Sequence, residues 1–481
     1  MAIENTIHEV MEQARTAFNV YNKTSYTTRC TLSDEIIHQL KQVRTLLIDT
    51  AAAETHLKQE RLNAEFERTL HQFNTYFKAY ANGNWLLPRI DTVKKDVRKT
   101  YIPLGPVVVY GASNFPFAYS TPGGDVASAL AAGCTVVVKA HPAHPQTASI
   151  AAQAIQQAVQ NVGLPPGTFQ QLKLEDAAQG KRLVQHPATA AVAFTGSYLG
   201  GRQLFDWANE RDQPIPVFAE MGSVNPVFIL SHPATSDMDA LAVKLCASVS
   251  QSSGQFCTKP GIIVGLQSNE WDQFKQAFHH QLSLQAPSTL LHPGIHRQFI
   301  SGVTQRTQIP AVQTLLNIHS DSNIAQPVLH EVAAHTFLNE QSLQEEVFGP
   351  CTLLVTCNAK EEMLAVAQSL QGQLTCTVIS NEDNDSYLKE WMDILQQKGG
   401  RLILNDVPTG VEVVSAMQHG GPFPATTDSR FTSVGPDSVL RFVRPVVYQQ
   451  FPNHLLPDAL KNENPLQIDR MVNGQITKNA L

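Results

Sequence analysis

Four short stretches each place one chemically useful side chain among small or backbone-constraining residues. Cys257 sits in "SSGQFCTKPG", behind Gly254 and ahead of a Pro-Gly break. A thiolate there is a nucleophile, and the backbone N–H at the nucleophile can hold the oxyanion that its attack creates. Glu220 ends the apolar run "IPVFAE", where a carboxylate beside a cleft can act as a base. Asn114 in "GASNFPF" follows another apolar run, and its amide can donate to a developing oxyanion. In "FTGSYLGG", Gly196 and Ser197 open a helix, the layout that offers backbone N–H groups to phosphate; Gly201 follows, but the spacing is not GxGxxG. Each stretch alone has an ordinary alternative: an inert buried cysteine, a solvated strand-end glutamate, a turn asparagine, a plain strand–helix turn.

The surrounding pattern supplies elements to position these groups. "IHEVMEQARTAFNVY" spaces Ile7, Val10, Met11, Ala14 and Phe18 as one helical face, and "LSDEIIHQLKQVRTLLIDTAAAE" reads as a helix capped by Ser33. From Pro106 strands and helices alternate: "PVVVYG", "GGDVASALAAGC", "TVVVK", "PQTASIAAQAIQQAVQNVG" closed by Gly163, "AAVAFTG", "GGRQLFDWANER" and "IPVFAEMG". That rhythm predicts a parallel sheet covered on both faces, with ligands at the carboxyl ends of its strands. "SDMDALAVKLCASVSQSSGQFC" reads as one helix running into the cysteine motif. Further strands are expected at "PGIIVGL" and "CTLLVTC", with helices near 270–285 and 360–370. Residues 85–103 read as extended, and the tail from about 438 as a strand that ends irregularly.

Composition narrows the class. The 481 residues are 43% hydrophobic and 16% charged, the balance of a folded globular protein. A net charge of −7 argues against a broad nucleic-acid surface. The first residues carry early acids and no apolar core, so no signal peptide is expected, and no run is long and apolar enough for a membrane span. Seven scattered cysteines without a CxxC argue against a disulfide framework and against a metal site, and fit a cytoplasmic protein.

A nucleophilic cysteine, a glutamate base, an asparagine donor and a phosphate turn are the parts needed to oxidise an aldehyde. From about residue 35 to 450 the chain resembles the aldehyde dehydrogenase superfamily, through "SNFPF", "VVVKAHPAHP", "FTGSYLGG", "EMGSVNP", "GQFC" and "EEVFGP" in family order. The resemblance implies an α/β architecture with a Rossmann-like cofactor domain (1–84 and 104–221), a catalytic α/β domain (222–435) and bridging, oligomerising segments (85–103 and 436–481). It makes Cys257 the nucleophile, Asn114 and the Cys257 N–H the oxyanion donors, and Glu220 the base that activates the hydrolytic water. It assigns Lys139 to the adenosine ribose, Gly196, Ser197 and Gly201 to the pyrophosphate turn, and Glu346 and Phe348 to the nicotinamide ribose. It also implies a homodimer or higher oligomer acting on a small-molecule aldehyde.

Two departures stand out. Pro142 takes the place of the glutamate that bonds the ribose 2′-hydroxyl in most NAD-preferring members, so NADP is expected to be accepted and preferred, with NAD as the alternative. His141 and His144 either assist or are loop histidines. Ser113 stands where many members carry tryptophan. Together with "AMQHGGPFPATTDSRFTSVG", these features resemble the branch of α-ketoglutaric semialdehyde (2,5-dioxovalerate) dehydrogenases and NADP-linked fatty-aldehyde dehydrogenases. The first of these implies conversion of 2,5-dioxovalerate to 2-oxoglutarate. Other readings are an aliphatic-aldehyde dehydrogenase and an inactive binding protein of the same fold. Phe256 is a candidate neighbour of the substrate. His419 lies either near the thiol or in a buried turn. Arg430 serves either the far end of an acidic substrate or the surface.

Overall fold

The computed structural model describes residues 2–79, 83–230, 238–317, 323–380 and 385–481. Its first sheet is fully parallel, in the spatial order Phe169–Leu172, Val136–Lys139, Val107–Tyr110, Ala191–Thr195, Val217–Glu220. The chain grows outward from Val107–Tyr110 in one direction and then returns to build the other half. The switch point therefore lies between Val107–Tyr110 and Ala191–Thr195, and the carboxyl ends there are where sheets of this kind bind ligands. Val107–Tyr110 is buried throughout, because helices cover both faces. One cover, Gly124–Ala132, is built of small residues and is buried along its whole length. The helix Pro145–Asn161 starts with proline at its first turn and ends before Gly163, whose φ of +75° suits glycine.

The first helix spans Ala2–Tyr21, with Ile7, Met11 and Ala14 buried against Val108 and Val137 of the sheet. Two helices, Tyr26–Gln42 and Arg44–Thr55, stand where one was expected, because Val43 leaves helical geometry at φ −104°, ψ 11°. The cap is Ser25, which accepts from the Thr28 N–H at 3.1 Å. Ser33 is buried inside the helix and its hydroxyl donates to the Phe73 carbonyl at 3.1 Å.

The second sheet has seven strands in the order Gln313–Leu316, Val328–Ala333, Cys351–Cys357, Ile262–Leu266, Val227–Ile229, Gln373–Ile379, Gly399–Leu404. All pairings are parallel except that of Gln313–Leu316. Helices Asn269–Ser283 and Lys360–Ser369 pack against it. The helix expected to run into the cysteine motif spans Met238–Ser250; positions 236 and 237 of that reading lie outside the described residues. It does not reach Cys257. Ser252, Ser253 and Gly254 follow in left-handed geometry, at φ 49°, 59° and 66°. Gly254 is required there twice over: a Cβ would lie 2.4 Å from the Gly349 carbonyl oxygen.

A third sheet gathers distant segments in the order Val443–Gln449, Val97–Pro103, Arg89–Asp91, Arg470–Val472, Gln475–Thr477. The strand expected from about 438 begins only at Val443, after a 3-10 turn over Pro436–Phe442. Pro445 is tolerated because Val443–Gln449 is an edge strand. Residues beyond 450 supply two strands of this sheet. Among the described residues no helix is long and apolar enough to cross a membrane.

Candidate active site

Glu220 is the last residue of its strand and Cys257 follows the left-handed bend, so the two meet at the rim between the first two sheets. His419 joins them. Its Nε2 lies 3.0 Å from Glu220 Oε1 and 3.5 Å from the Cys257 sulfur. Glu220 and His419 are only 3% and 1% exposed, whereas the cysteine is half-buried. The Ser433 hydroxyl donates to Glu220 Oε2 at 2.6 Å. The 432–433 segment holds His419 in place: Ser433 N–H donates to its carbonyl at 2.8 Å, and its own N–H donates to Thr432 Oγ1 at 2.9 Å. Thiol, imidazole and carboxylate lie within 4.8 Å of one another. A metal ion could bridge such a set, but the observed separations are hydrogen-bond distances, suited to proton exchange.

The charges are mutually adjusted. Burial pushes the Glu220 carboxyl up, but His419, the Ser433 hydroxyl and the thiol outweigh that and hold it below the usual carboxylate range. Burial, then the nearby Glu220 and Glu346 carboxylates, push the Cys257 thiol well above its ordinary value, with Arg68 opposing. Cys257 at rest is thus a thiol, with two acceptors for its proton within reach. Asn114 meets the same loop: its amide donates to the Gln255 carbonyl at 3.1 Å, while Arg61 donates to the Asn114 carbonyl at 2.7 Å. Phe256 packs edge-on to Phe115, their ring centroids 5.2 Å apart.

Glu346 lies on the other side of the thiol, half-buried. It packs on Gly222, where a Cβ would sit 2.3 Å from its Oε2. Burial raises the Glu346 carboxyl; Lys259 and the Ser223 N–H oppose the rise. The Lys259 ammonium is fully buried and donates to the carbonyls of Val347 and Cys351 at 3.0 and 2.7 Å. Burial lowers it. Phe348 packs against the main core beside them.

The cofactor candidates line the carboxyl ends of the first sheet. Lys139 ends its strand half-buried, and burial lowers its ammonium. Gly196 and Ser197 are exposed at the start of the twelve-residue helix Tyr198–Asn209, with the Ser197 hydroxyl accepting from the Gly200 N–H at 3.3 Å. Gly201 packs so closely that a Cβ would lie 2.6 Å from Met221 Cγ. An open helix N-terminus, a strand-end lysine and glycines where side chains would intrude fit a dinucleotide. Pro142 is exposed. His141 stacks near His144 at 5.5 Å and near His292 at 5.9 Å between ring centroids. Burial first, then the nearby His144, Lys139 and His292, lower the His141 imidazole well below its usual range.

Most of the sequence candidates therefore converge, and His419 takes the place near the thiol. Arg430 does not join them: its side chain is 78% exposed and paired with Asp428 at 2.5 Å. Its short exposed loop returns the guanidinium to its own neighbour two residues away. Sequence reasoning missed Ser433, Lys259 and Asn225. The Asn225 amide donates to the carbonyls of Cys257 and Lys259 at 2.8 and 3.0 Å and so ties the cysteine loop to the exit of the Glu220 strand. All three lie inside quoted motifs, which was the available signal.

Residues 1–422 match the profile described as "Aldehyde dehydrogenase family". The chain is 41% identical to the alpha-ketoglutaric semialdehyde dehydrogenase of Acinetobacter baylyi, covering 98% of this chain and 92% of the relative. It is 39% identical to alpha-ketoglutaric semialdehyde dehydrogenase 2 of Azospirillum brasilense, over 99% and 92%. The solved glyceraldehyde-3-phosphate dehydrogenase GapN of Methanocaldococcus jannaschii, complexed with NADP, superposes with a TM-score of 0.78 at 18% identity, over 93% of this chain and 94% of that one.

Proposed function

This chain belongs to the aldehyde dehydrogenase family, and on that premise we propose that it oxidises 2,5-dioxovalerate to 2-oxoglutarate, with NADP preferred. One observation carries the mechanism: a half-buried thiol within hydrogen-bond reach of a buried imidazole–carboxylate pair at the carboxyl end of the sheet. Cys257 gives up its proton to His419, 3.5 Å away, and attacks the aldehyde carbon, forming a thiohemiacetal. Asn114 and the Cys257 N–H hold its oxyanion. NADP, when bound, supplies the hydride acceptor. Loss of hydride leaves a thioester on Cys257, and Glu220 takes a proton from the water that hydrolyses it, releasing the carboxylate. Ser433 is a positioning residue in this reading, since its hydroxyl donates to Glu220 Oε2 and aims the carboxylate, with the His419 ring 3.0 Å from Oε1.

Lys139, the Gly196–Ser197 turn and Gly201 would hold the phosphates and adenosine side, and Glu346 and Phe348 the nicotinamide ribose. The NADP preference is supported by Pro142, which brings no carboxylate toward a 2′-phosphate, and by Lys139, whose ammonium can pair with one. The substrate is supported by the two semialdehyde dehydrogenase relatives. Cytoplasmic residence is supported by seven free cysteines, and a homodimer by the open edge of Val443–Gln449, where Val447 is exposed.

Initial rates with 2,5-dioxovalerate and with a medium-chain aldehyde, each with NADP and NAD, test the proposal. A higher kcat/KM for 2,5-dioxovalerate with NADP supports it. Preference for the aliphatic aldehyde moves the substrate to that class, and cofactor binding without turnover of either aldehyde returns the binding-protein reading.

A further inference from the structure

Two guanidinium groups reach the active site from distant parts of the chain. Arg68 stands on the helix Gln59–Ala79 and Arg401 on the strand Gly399–Leu404. Both are half-buried and both grip one loop. Arg401 donates to the carbonyls of Pro408 and Gly410, at 2.5 and 2.9 Å, and Arg68 donates to that of Val411. Arg68 also donates to the Tyr119 hydroxyl at 3.2 Å. The Tyr119 ring lies 6.4 Å from His419 and 5.0 Å from Phe115, which itself packs on Phe256. The pair is therefore joined through Tyr119 to the wall beside Cys257.

The two cations are incompletely satisfied. Among the described residues neither has a carboxylate within 4.0 Å, and the Nε of each is buried with no hydrogen-bond partner. Arg61, two turns earlier on the same helix, also has an unpartnered buried Nε but differs in carrying its own counter-ion, Glu65, at 3.1 Å. Asp406 acts on Arg401 from further off, but that carboxylate is bonded to Lys244 at 2.8 Å. Both guanidinium charges act on the Cys257 thiol and on Tyr119. Partly buried guanidinium groups with donors to spare favour a planar anion that accepts several N–H bonds.

We propose that Arg68 and Arg401, gathered on the Pro408–Val411 carbonyls, form the subsite that binds the carboxylate at the far end of an acidic aldehyde. The subsite deepens the reading of 2,5-dioxovalerate as substrate and rests on it. It sets specificity by charge, and its residues take no part in proton or hydride transfer.

The test uses three aldehydes of equal chain length: 2,5-dioxovalerate, glutaric semialdehyde and pentanal. The readout is kcat/KM for each acid divided by that for pentanal on the same preparation, so that a general loss of folded enzyme cancels. Arg68→Met and Arg401→Met are each expected to lower that ratio by about ten- to a hundredfold, with Arg68→Lys keeping part of it. Unchanged ratios in both Met variants, with the native enzyme still favouring 2,5-dioxovalerate, overturn the subsite and leave the substrate reading standing. A native enzyme that favours glutaric semialdehyde, with the ratio lost in the variants, upholds the subsite and overturns the substrate. No preference for either acid over pentanal overturns both. On the unaltered enzyme, glutarate should slow alkylation of Cys257 by iodoacetamide more than glutaramide does; equal protection contradicts the subsite without relying on any variant.

Discussion

The two ends of the candidate site are built differently. At the reaction end, Cys257, His419, Glu220 and Ser433 are linked by contacts of 2.6–3.5 Å, and these neighbours lower the Glu220 carboxyl while Glu220 raises the thiol. At the nucleotide end, Gly196, Ser197 and Pro142 are exposed, and the fit rests on backbone N–H groups, absent side chains and a half-buried lysine. A buried, mutually bonded set has no substitute for a lost member, because removing one leaves its partners uncompensated. An exposed turn loses only its own contribution. Disruption should therefore be severe at the first end and graded at the second.

The largest effect is expected for Cys257→Ser, which should lower turnover by about a thousandfold or more while NADP binding, read by calorimetry, is retained. Loss of NADP binding in that variant would mean the two ends are not separable. Glu220→Gln should lower steady-state turnover by about a hundredfold or more yet give a burst of reduced cofactor on rapid mixing, since only thioester hydrolysis is blocked. The absence of any burst would place Glu220 earlier in the reaction.

The same variant sharpens the electrostatic side of the comparison. In the native enzyme the thiol is raised, so thiolate is scarce at neutral pH and alkylation by iodoacetamide should climb through the alkaline range. Glu220 is one of the groups that raise it. Glu220→Gln should therefore shift the alkylation profile to lower pH; a shift upward, or none, would break the coupling between thiol and carboxylate.

His419→Asn should cost about ten- to a hundredfold in kcat, with KM little changed, and should alter the pH–rate profile, which loss of a merely structural residue would leave in place. At the nucleotide end, Pro142→Glu should reduce kcat/KM for NADP relative to NAD by about tenfold, through a carboxylate facing the 2′-phosphate. It is the smallest effect. A loss as large as that of His419→Asn would show that the nucleotide loop is less separate from the chemistry than its exposure suggests.

What could be read from the sequence follows from where each signal resides. The strands "PVVVYG" and "AAVAFTG" announce themselves because burial on both faces demands a continuous apolar run. Glu220 and Asn114 stand out because each polar residue interrupts or follows such a run. The helix end at Ser250 was not legible: the left-handed bend over residues 252–254 depends on contact with Gly349, nearly a hundred positions away. Ser433 and Asn225 were missed for a related reason, since their partners are Glu220 and two carbonyls of the cysteine loop. Arg430 drew attention as an arginine close in sequence to the motif region, whereas Arg68 and Arg401 come from elements with no local mark of function. Charge type is visible in a sequence; the company a charge keeps is not.

The most direct measurement is intact-protein and peptide mass spectrometry of Glu220→Gln, quenched soon after mixing with 2,5-dioxovalerate and NADP. The account predicts an acyl adduct confined to the peptide that contains Cys257. An adduct on a different cysteine, or reduced cofactor formed with no adduct at all, would contradict it.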